Sequence, residues 1–422
     1  MHVFEIPYGQ TSVTFQLPAT AQVQTVKAQT PPELTMSQEL LLLEALDDPL
    51  GSRSLESMVK RGQTVAVIIS DNTRPCPSHL MLPPLLERLQ EAGVDLQDIT
   101  IIAALGLHRK MTETELRQAV GDAVYDAVRV INHDVDDVVH VGTTKRGTPV
   151  DVFRPVVEAD VRIALGHVEF HYFAGFSGGA KAVVPGTASS RTITANHSHM
   201  LEAGAEAAKL EGNPVREDLE EACAFVGVDF VFNVVLDEHK TIVAAGAGHV
   251  TAVHRQLSKL LQEWGLVQMP KPVDLAVVST GGHPKDRNLY QAQKALDNCA
   301  GAVRDGGVLI LAAPCPETFG EATFAHWLTN GATTEELLER IQNEFVLGGH
   351  KAAAIANQAQ RIRVYLVHQA FAEELTGITG FTDMQQAVDT ALADLGDAPN
   401  VAVFPQGSSL LASVKTNGRR SG

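Results

Sequence analysis

The sequence predicts an α/β protein made of two α/β domains with mainly parallel sheets. Three observations predict it. Short runs of β-branched and apolar residues recur along the chain, amphipathic helical patterns lie between them, and the runs end in glycine or polar turns. Near-continuous apolar strands separated by helices belong to parallel sheets covered on both faces. In order, the first half offers strands at Val65–Ser70, Ile99–Leu105, Val161–Leu165 and Phe230–Leu236, with helices at Ser78–Ala92, Thr112–Val120 and Val250–Glu263. The second half offers strands at Leu275–Ser279, Val308–Ala312, Val364–Val367 and Val401–Phe404, with helices at Tyr290–Val303 and Thr334–Asn343.

The segment Gln268–Val273 (QMPKPV) holds two prolines between a helix and a strand and reads as a linker. It divides residues 1–268 from 272–399. A second crossing near Asp397–Asn400 is expected to return 400–422 to the first domain. A cleft between two such domains is a common home for a small-molecule site.

A chain of 422 residues accommodates two cores, and 45% hydrophobic with 20% charged residues is ordinary for a globular protein. Only the last residues, Gly418–Gly422, read as a disordered tail. The net charge of −17 argues against a nucleic-acid surface, yet leaves room for a small anion held by a local basic cluster. Cys76, Cys223, Cys299 and Cys315 form no CxxC pair, which fits reduced, mostly buried thiols. The opening MHVFEIPYGQ lacks a signal-peptide profile, and no apolar run approaches the roughly 20 residues that span a bilayer. A cytoplasmic protein with no membrane partner is expected.

Ligands in open parallel sheets sit beyond the carboxyl ends of the strands. Three consecutive strand ends of the first half carry chemistry: Asp71-Asn72-Thr73-Arg74-Pro75, then Gly106-Leu107-His108-Arg109, then Gly166-His167-Val168-Glu169-Phe170-His171 running into Phe176-Ser177-Gly178-Gly179-Ala180-Lys181. Each piece also has an ordinary reading. Asp71 suits a helix cap, Arg74 a surface charge, and one histidine after a strand a hydrogen-bonded structural role. Two histidines at neighbouring strand ends favour acid–base chemistry. The glycine-rich loop, neither a P-loop nor GxGxxG, suits an anion or phosphate as well as a flexible turn. Downstream, Ala188–Ala195 reads as a helix that ends at Asn196-His197-Ser198-His199. His167 and His171 have the spacing of two zinc ligands on a helix, but the glycines around them oppose a helix there. In the second half, Ser279-Thr280-Gly281-Gly282-His283-Pro284 closes a strand. Tyr290, Gln291 and Lys294 then open a helix whose dipole and free N–H groups suit a carboxylate.

Taken together, the blocks SDNTRPCPSHLMLPPLLERL, ALGLHRKMT, HVEFHYFAGFSGGAKAVVPG, TITANHS, FVFNVVLD and STGGHPKDRNLYQAQKAL resemble the lactate racemase family of nickel-pincer-nucleotide-dependent 2-hydroxyacid racemases and epimerases. The resemblance implies that Lys181 tethers the nickel-pincer nucleotide covalently and that His197 completes the nickel coordination. It implies that His108 and His171 are the acid/base pair, and that Asp71 with Ser177, Gly178 and Gly179 contacts the nucleotide. Arg74, Tyr290, Gln291 and Lys294 are implied to hold the substrate carboxylate. Ala180 departs from the family pattern, in which an arginine precedes the lysine. Enzymes that build the cofactor are the implied partners. Two other functions fit the class: a nicotinamide-dependent 2-hydroxyacid dehydrogenase, which lacks its strand–GxGxxG–helix unit here, and a non-catalytic nucleotide- or organic-anion-binding relative.

Overall fold

The computed structural model describes residues 1–29, 36–237, 239–343, 345–371, 374–396 and 398–415, so Asp397 and the tail at Gly418–Gly422 lie outside the described residues. The chain forms two compact units, Pro31–Gln262 and Met1–Thr30 with Glu263–Gly422.

The first of these holds a six-stranded sheet in the order Ile242–Gly248, Phe230–Leu236, Val161–His167, Val65–Ser70, Ile99–Ala104, Arg129–Asn132. All neighbours are parallel except the antiparallel pair Phe230–Leu236 and Ile242–Gly248. Numbered by chain position, the order is 3-2-1-4-5-6, a doubly wound arrangement whose direction reverses between Val65–Ser70 and Val161–His167. Those central strands are buried along nearly their whole length, because apolar side chains on both faces meet helices. The helix Ser78–Glu91 contributes Met81, Leu82, Leu85, Leu86 and Leu89 to this core.

The other unit has a six-stranded, wholly parallel sheet in the order Ile378–Phe381, Arg363–Val367, Val303–Ala312, Val273–Ser279, Asn400–Phe404, Gln22–Thr25. This order changes the expected domain boundaries. Asn400–Phe404 pairs with both Val273–Ser279 and Gln22–Thr25, so backbone ladders tie residues 22–25 and 400–404 to the later half of the chain, not to the first domain. The expected linker is also shorter than its sequence suggests, since Leu266–Met269 is a strand paired with Leu411–Val414. All four cysteines are free thiols, and three are buried. Among the described residues, no helix is long and apolar enough to cross a membrane.

His133, just past Arg129–Asn132, is 1% exposed, and neither ring nitrogen has a hydrogen-bond partner among the described residues. Burial pushes its pKa down to about 4 from 6.5. The unfolded chain therefore binds a proton that the folded one refuses, so stability is lost as pH falls below 6.5 and levels off near 4. The loss amounts to about 3 kcal/mol. Unfolding free energies of the native protein and His133→Leu, measured across this range, should diverge by that amount at the acid end. Parallel curves would contradict the assignment.

Candidate active site

The site-bearing residues of the Pro31–Gln262 unit come from the strand ends at its topological switch point. Asp71 directly follows Val65–Ser70 and is buried. Its Oδ1 accepts from the Thr73 amide at 3.0 Å and the Thr73 hydroxyl at 2.6 Å, and its Oδ2 accepts from His108 Nδ1. Burial raises the Asp71 carboxyl, but the His108 bond and charge, Thr73 and the Arg74 charge outweigh it and leave the group below the ordinary carboxylate value. The helix-cap reading of Asp71 does not hold, because both oxygens are committed elsewhere and Pro77 occupies the cap of Ser78–Glu91.

His108 stands on the turn after Ile99–Ala104, where its amide donates to Leu105 O at 2.9 Å. The neighbouring Arg109 makes a two-pronged contact with Glu115, at 2.6 and 2.7 Å, and Glu115 also closes the capping box of Glu113–Val120. Charge-assisted forks of this kind fix a loop's direction. With Nδ1–H donated to Asp71, the Nε2 of neutral His108 carries the lone pair.

After Val161–His167 the chain makes a small hairpin, pairing Phe170 with Phe176 and His171 with Gly175. His167 and His171 thus lie on strand segments rather than one helix, as the surrounding glycines predicted. His171 stacks on Tyr172 with centroids 5.4 Å apart and meets Phe173 edge-on at 4.5 Å. The Ala174 amide donates to His171 Nδ1 at 3.3 Å, which puts the proton of the neutral ring on Nε2. Burial, then the charges of Lys181, Arg74, His197 and Arg216, hold the His171 pKa well below its ordinary value. The two histidines therefore have opposite tautomers: His108 offers a lone pair at Nε2, and His171 offers a proton.

Lys181 sits in a single 3-10 turn, Gly179–Ala182, with Nζ 5.6 Å from the Phe173 ring centre. Burial, then Arg216 and Arg74, depress its pKa well below that of an ordinary lysine, against the opposing pull of Glu169. This direction favours the neutral, nucleophilic form of the amine. His197 is buried and meets the same Phe173 ring edge-on, with centroids 5.0 Å apart. It lies inside the helix Ser190–Ser198, not just past its end. Ser189 caps that helix, and Asn196 anchors it through Val215 O and Asp218.

The glycine-rich loop differs from its sequence expectation in one respect. The Ser177 hydroxyl donates to His167 O at 2.8 Å, its amide to Glu169 O at 2.9 Å, and the Gly179 amide to Asn233 Oδ1 at 2.8 Å. Groups expected to face a phosphate are thus occupied inside the protein. The glycines are required by crowding. Gly178, at φ +74°, would drive a Cβ to 2.9 Å from Val168, and Gly179, at φ +56°, to 2.9 Å from the His254 ring.

In the other unit, Tyr290, Gln291 and Lys294 open the helix Leu289–Ala300 as predicted, but its N–H groups are not free. Leu289 N donates to Thr318 O, Tyr290 N to Phe319 O, and Gln291 N to Asn288 Oδ1. Any attraction for a carboxylate there comes from side chains and the helix dipole. Sequence reasoning missed Lys351, whose buried ammonium lies 3.9 Å from the Tyr290 ring centre and donates to Tyr290 O at 2.5 Å. It missed Asn213, Arg216, Asn233 and His254 as well. No short motif marks them; they become visible only once the loop's carbonyls and amides are accounted for.

The chain resembles known proteins over nearly its whole length. Residues 8–208 match the lactate racemase N-terminal domain, and residues 268–412 the lactate racemase C-terminal domain. The chain is 30% identical to the lactate racemase of Thermoanaerobacterium thermosaccharolyticum, covering 97% of this chain and 99% of that protein. It is 31% identical to the lactate racemase of Lactiplantibacillus plantarum, covering 97% and 100%. The solved structure of the T. thermosaccharolyticum lactate racemase apoprotein superimposes with a TM-score of 0.88 over 97% of this chain and 100% of that one, at 29% identity. A Thermotoga maritima protein of solved structure shares the fold, at a TM-score of 0.66 and 19% identity over 92% of this chain and 100% of that one. On two domain matches and near-full-length identity, the chain belongs to the lactate racemase family.

Proposed function

We propose that this chain is a racemase or epimerase that inverts the C2 stereocentre of a 2-hydroxy acid, lactate or a related 2-hydroxycarboxylate, with Lys181 as the covalent tether of a nickel-pincer nucleotide. One observation carries the reading: a half-buried lysine whose pKa is held well below the ordinary value shares a switch point with His171 and with an Asp71–His108 pair on the adjoining strand ends. Family membership supports it. The residues suit the group: the lowered pKa of Lys181 favours the unprotonated amine that a covalent bond needs, and a buried imidazole, His197, packs against the same Phe173 ring. His197 would hold the metal, with the nucleotide as the source of its further donors.

When bound, the nucleotide supplies a reversible hydride acceptor, which avoids forming a carbanion beside an ionised carboxylate. The protein's part is proton transfer and binding. His108 takes the hydroxyl proton at Nε2 while Asp71 holds Nδ1–H and steadies the imidazolium, as in other carboxylate–histidine pairs. His171 serves the opposite enantiomer, starting as a proton donor to the carbonyl oxygen of the 2-keto acid. To give that proton the ring first takes up a second one at Nδ1, and to act as a base it must free a lone pair at Nε2; in either case its Nδ1 contact with Ala174 must give way. Arg74 is proposed to bind the carboxylate. The partners are enzymes that build the nucleotide.

The test uses a single enantiomer of lactate deuterated at C2 and protein produced together with the cofactor-making enzymes. Loss of optical purity with deuterium kept at C2, and no net NADH formed, is expected. Exchange of the label into solvent would contradict hydride transfer, and net NADH would favour the dehydrogenase.

A further inference from the structure

The turn that leads to Lys181 is gripped from behind through its carbonyl groups. Asn213 Nδ2 donates to Phe173 O at 2.9 Å. Arg216 Nε donates to Ala174 O at 3.1 Å, and its Nη2 donates to Phe176 O. His254 Nε2 donates to Ser177 O at 2.9 Å. Four of five consecutive carbonyls thus find donors on two helices, Pro214–Val226 and Val250–Gly265. Asn213 caps the first of these, accepting from the Val215 and Arg216 amides at 3.1 Å, so the cap and the grip are one structure.

Arg216 is the centre of this arrangement. It is fully buried, where a guanidinium is costly unless its donors and charge are matched. Its Nη1 lies 3.7 Å from Glu220, which also takes a bidentate contact from Arg255 at 2.8 and 2.9 Å. Arg255 Nη1 in turn donates to His254 Nδ1 at 3.3 Å, which leaves Nε2–H to reach Ser177 O. One glutamate therefore holds both arginines and, through Arg255, fixes the His254 tautomer.

We propose that Arg216 is the positioning residue of the cofactor-tethering loop. Its planar fork draws the Ala174 and Phe176 carbonyls to the buried side and so sets the direction in which Lys181 and His171 face. The same guanidinium is, after burial, the largest influence depressing the Lys181 amine, ahead of Arg74 and opposed by Glu169. A lysine at 216 keeps the charge but cannot bridge two carbonyls in one plane. The proposal rests on the functional reading above only in taking Lys181 as the tether.

The test is hydrogen exchange on the unloaded protein, together with calorimetric binding of nicotinic acid mononucleotide as a pyridine-nucleotide probe. Arg216→Lys should speed amide exchange across residues 174–181 by about 10- to 100-fold, the equivalent of one lost charge-assisted hydrogen bond. Exchange in Val65–Ser70 and Val161–His167 should be unchanged, and the probe should bind about tenfold more weakly. In Arg216→Ala, added guanidinium ion should restore probe affinity and methylammonium should not. Unaltered loop exchange in Arg216→Lys, equal acceleration in the sheet, or equal rescue by both cations would overturn the proposal. If the Arg216 variants do not fold, His254→Phe decides. It keeps the ring and loses the donor to Ser177 O, and exchange confined to the loop is expected, whereas an undisturbed loop sinks the idea. Exchange is read without cofactor. The expected pattern beside an unmodified Lys181 in matured protein would thus reject the tether assignment and leave the positioning role standing.

Discussion

With Lys181 replaced by alanine, the protein is expected to carry no covalently attached cofactor and to racemise no faster than background. The cause is local. A primary amine attacks a carbonyl-type carbon only when unprotonated, and burial with the Arg216 and Arg74 charges shifts this amine toward that state. Lys181→Arg is the informative companion, because it keeps a long basic side chain on the loop yet stays protonated at every accessible pH. Both variants should show the mass of the bare chain after production with the cofactor-making enzymes, and both should leave an enantiomerically pure substrate unchanged. Attachment surviving in either one would remove Lys181 from its role.

The second large effect belongs to Asp71. Asp71→Asn should lower racemisation by about 10²- to 10⁴-fold, the range for losing general-base assistance. The carboxylate accepts the Nδ1 proton of His108; an amide nitrogen in its place turns that proton toward Nε2, where the lone pair is needed. His108→Ala should fall by a similar factor, and the double variant by little more, because the pair acts as a unit. Cofactor occupancy, read by mass, separates this role from the nucleotide contact that family resemblance suggests. If Asp71 serves His108, turnover falls at full occupancy; if it serves the nucleotide, occupancy itself falls.

Much of this was legible in the sequence because both sheets have nearly continuous apolar runs in their central strands. Val65–Ser70 and Phe230–Leu236 begin and end where their hydrophobic runs do, and Val161–Leu165 and Leu275–Ser279 each gain two residues at one end. The strands that escaped notice, Gln22–Thr25, Arg129–Asn132, Ile242–Gly248 and Ile378–Phe381, are sheet edges or next to them, short or glycine- and alanine-rich, and partly exposed. An edge strand buries too little to need a continuous apolar run. That gap also explains the misplaced domain boundary, since Gln22–Thr25 is what ties the chain's start to Asn400–Phe404.

At the site, the residue types after each strand were readable, and so was their gathering at one rim. Partnership was not. Nothing in the spacing of Asp71 and His108 says that they meet; adjacent parallel strands ending level with one another bring them together, with Ser70 opposite Ala104. The loop was read as a phosphate cradle because glycines and a lysine suit one, yet Ser177 and Gly179 spend their hydrogen bonds on His167, Glu169 and Asn233. Glycine there answers crowding by Val168, Asn233 and His254, which no local pattern announces.

The most direct test is peptide mass mapping of the unaltered protein after production with the cofactor-making enzymes. The account predicts a nucleotide-sized, nickel-bearing adduct on the peptide containing Lys181, at a stoichiometry that tracks racemase activity. A fully active preparation in which that peptide has only its bare mass would contradict it.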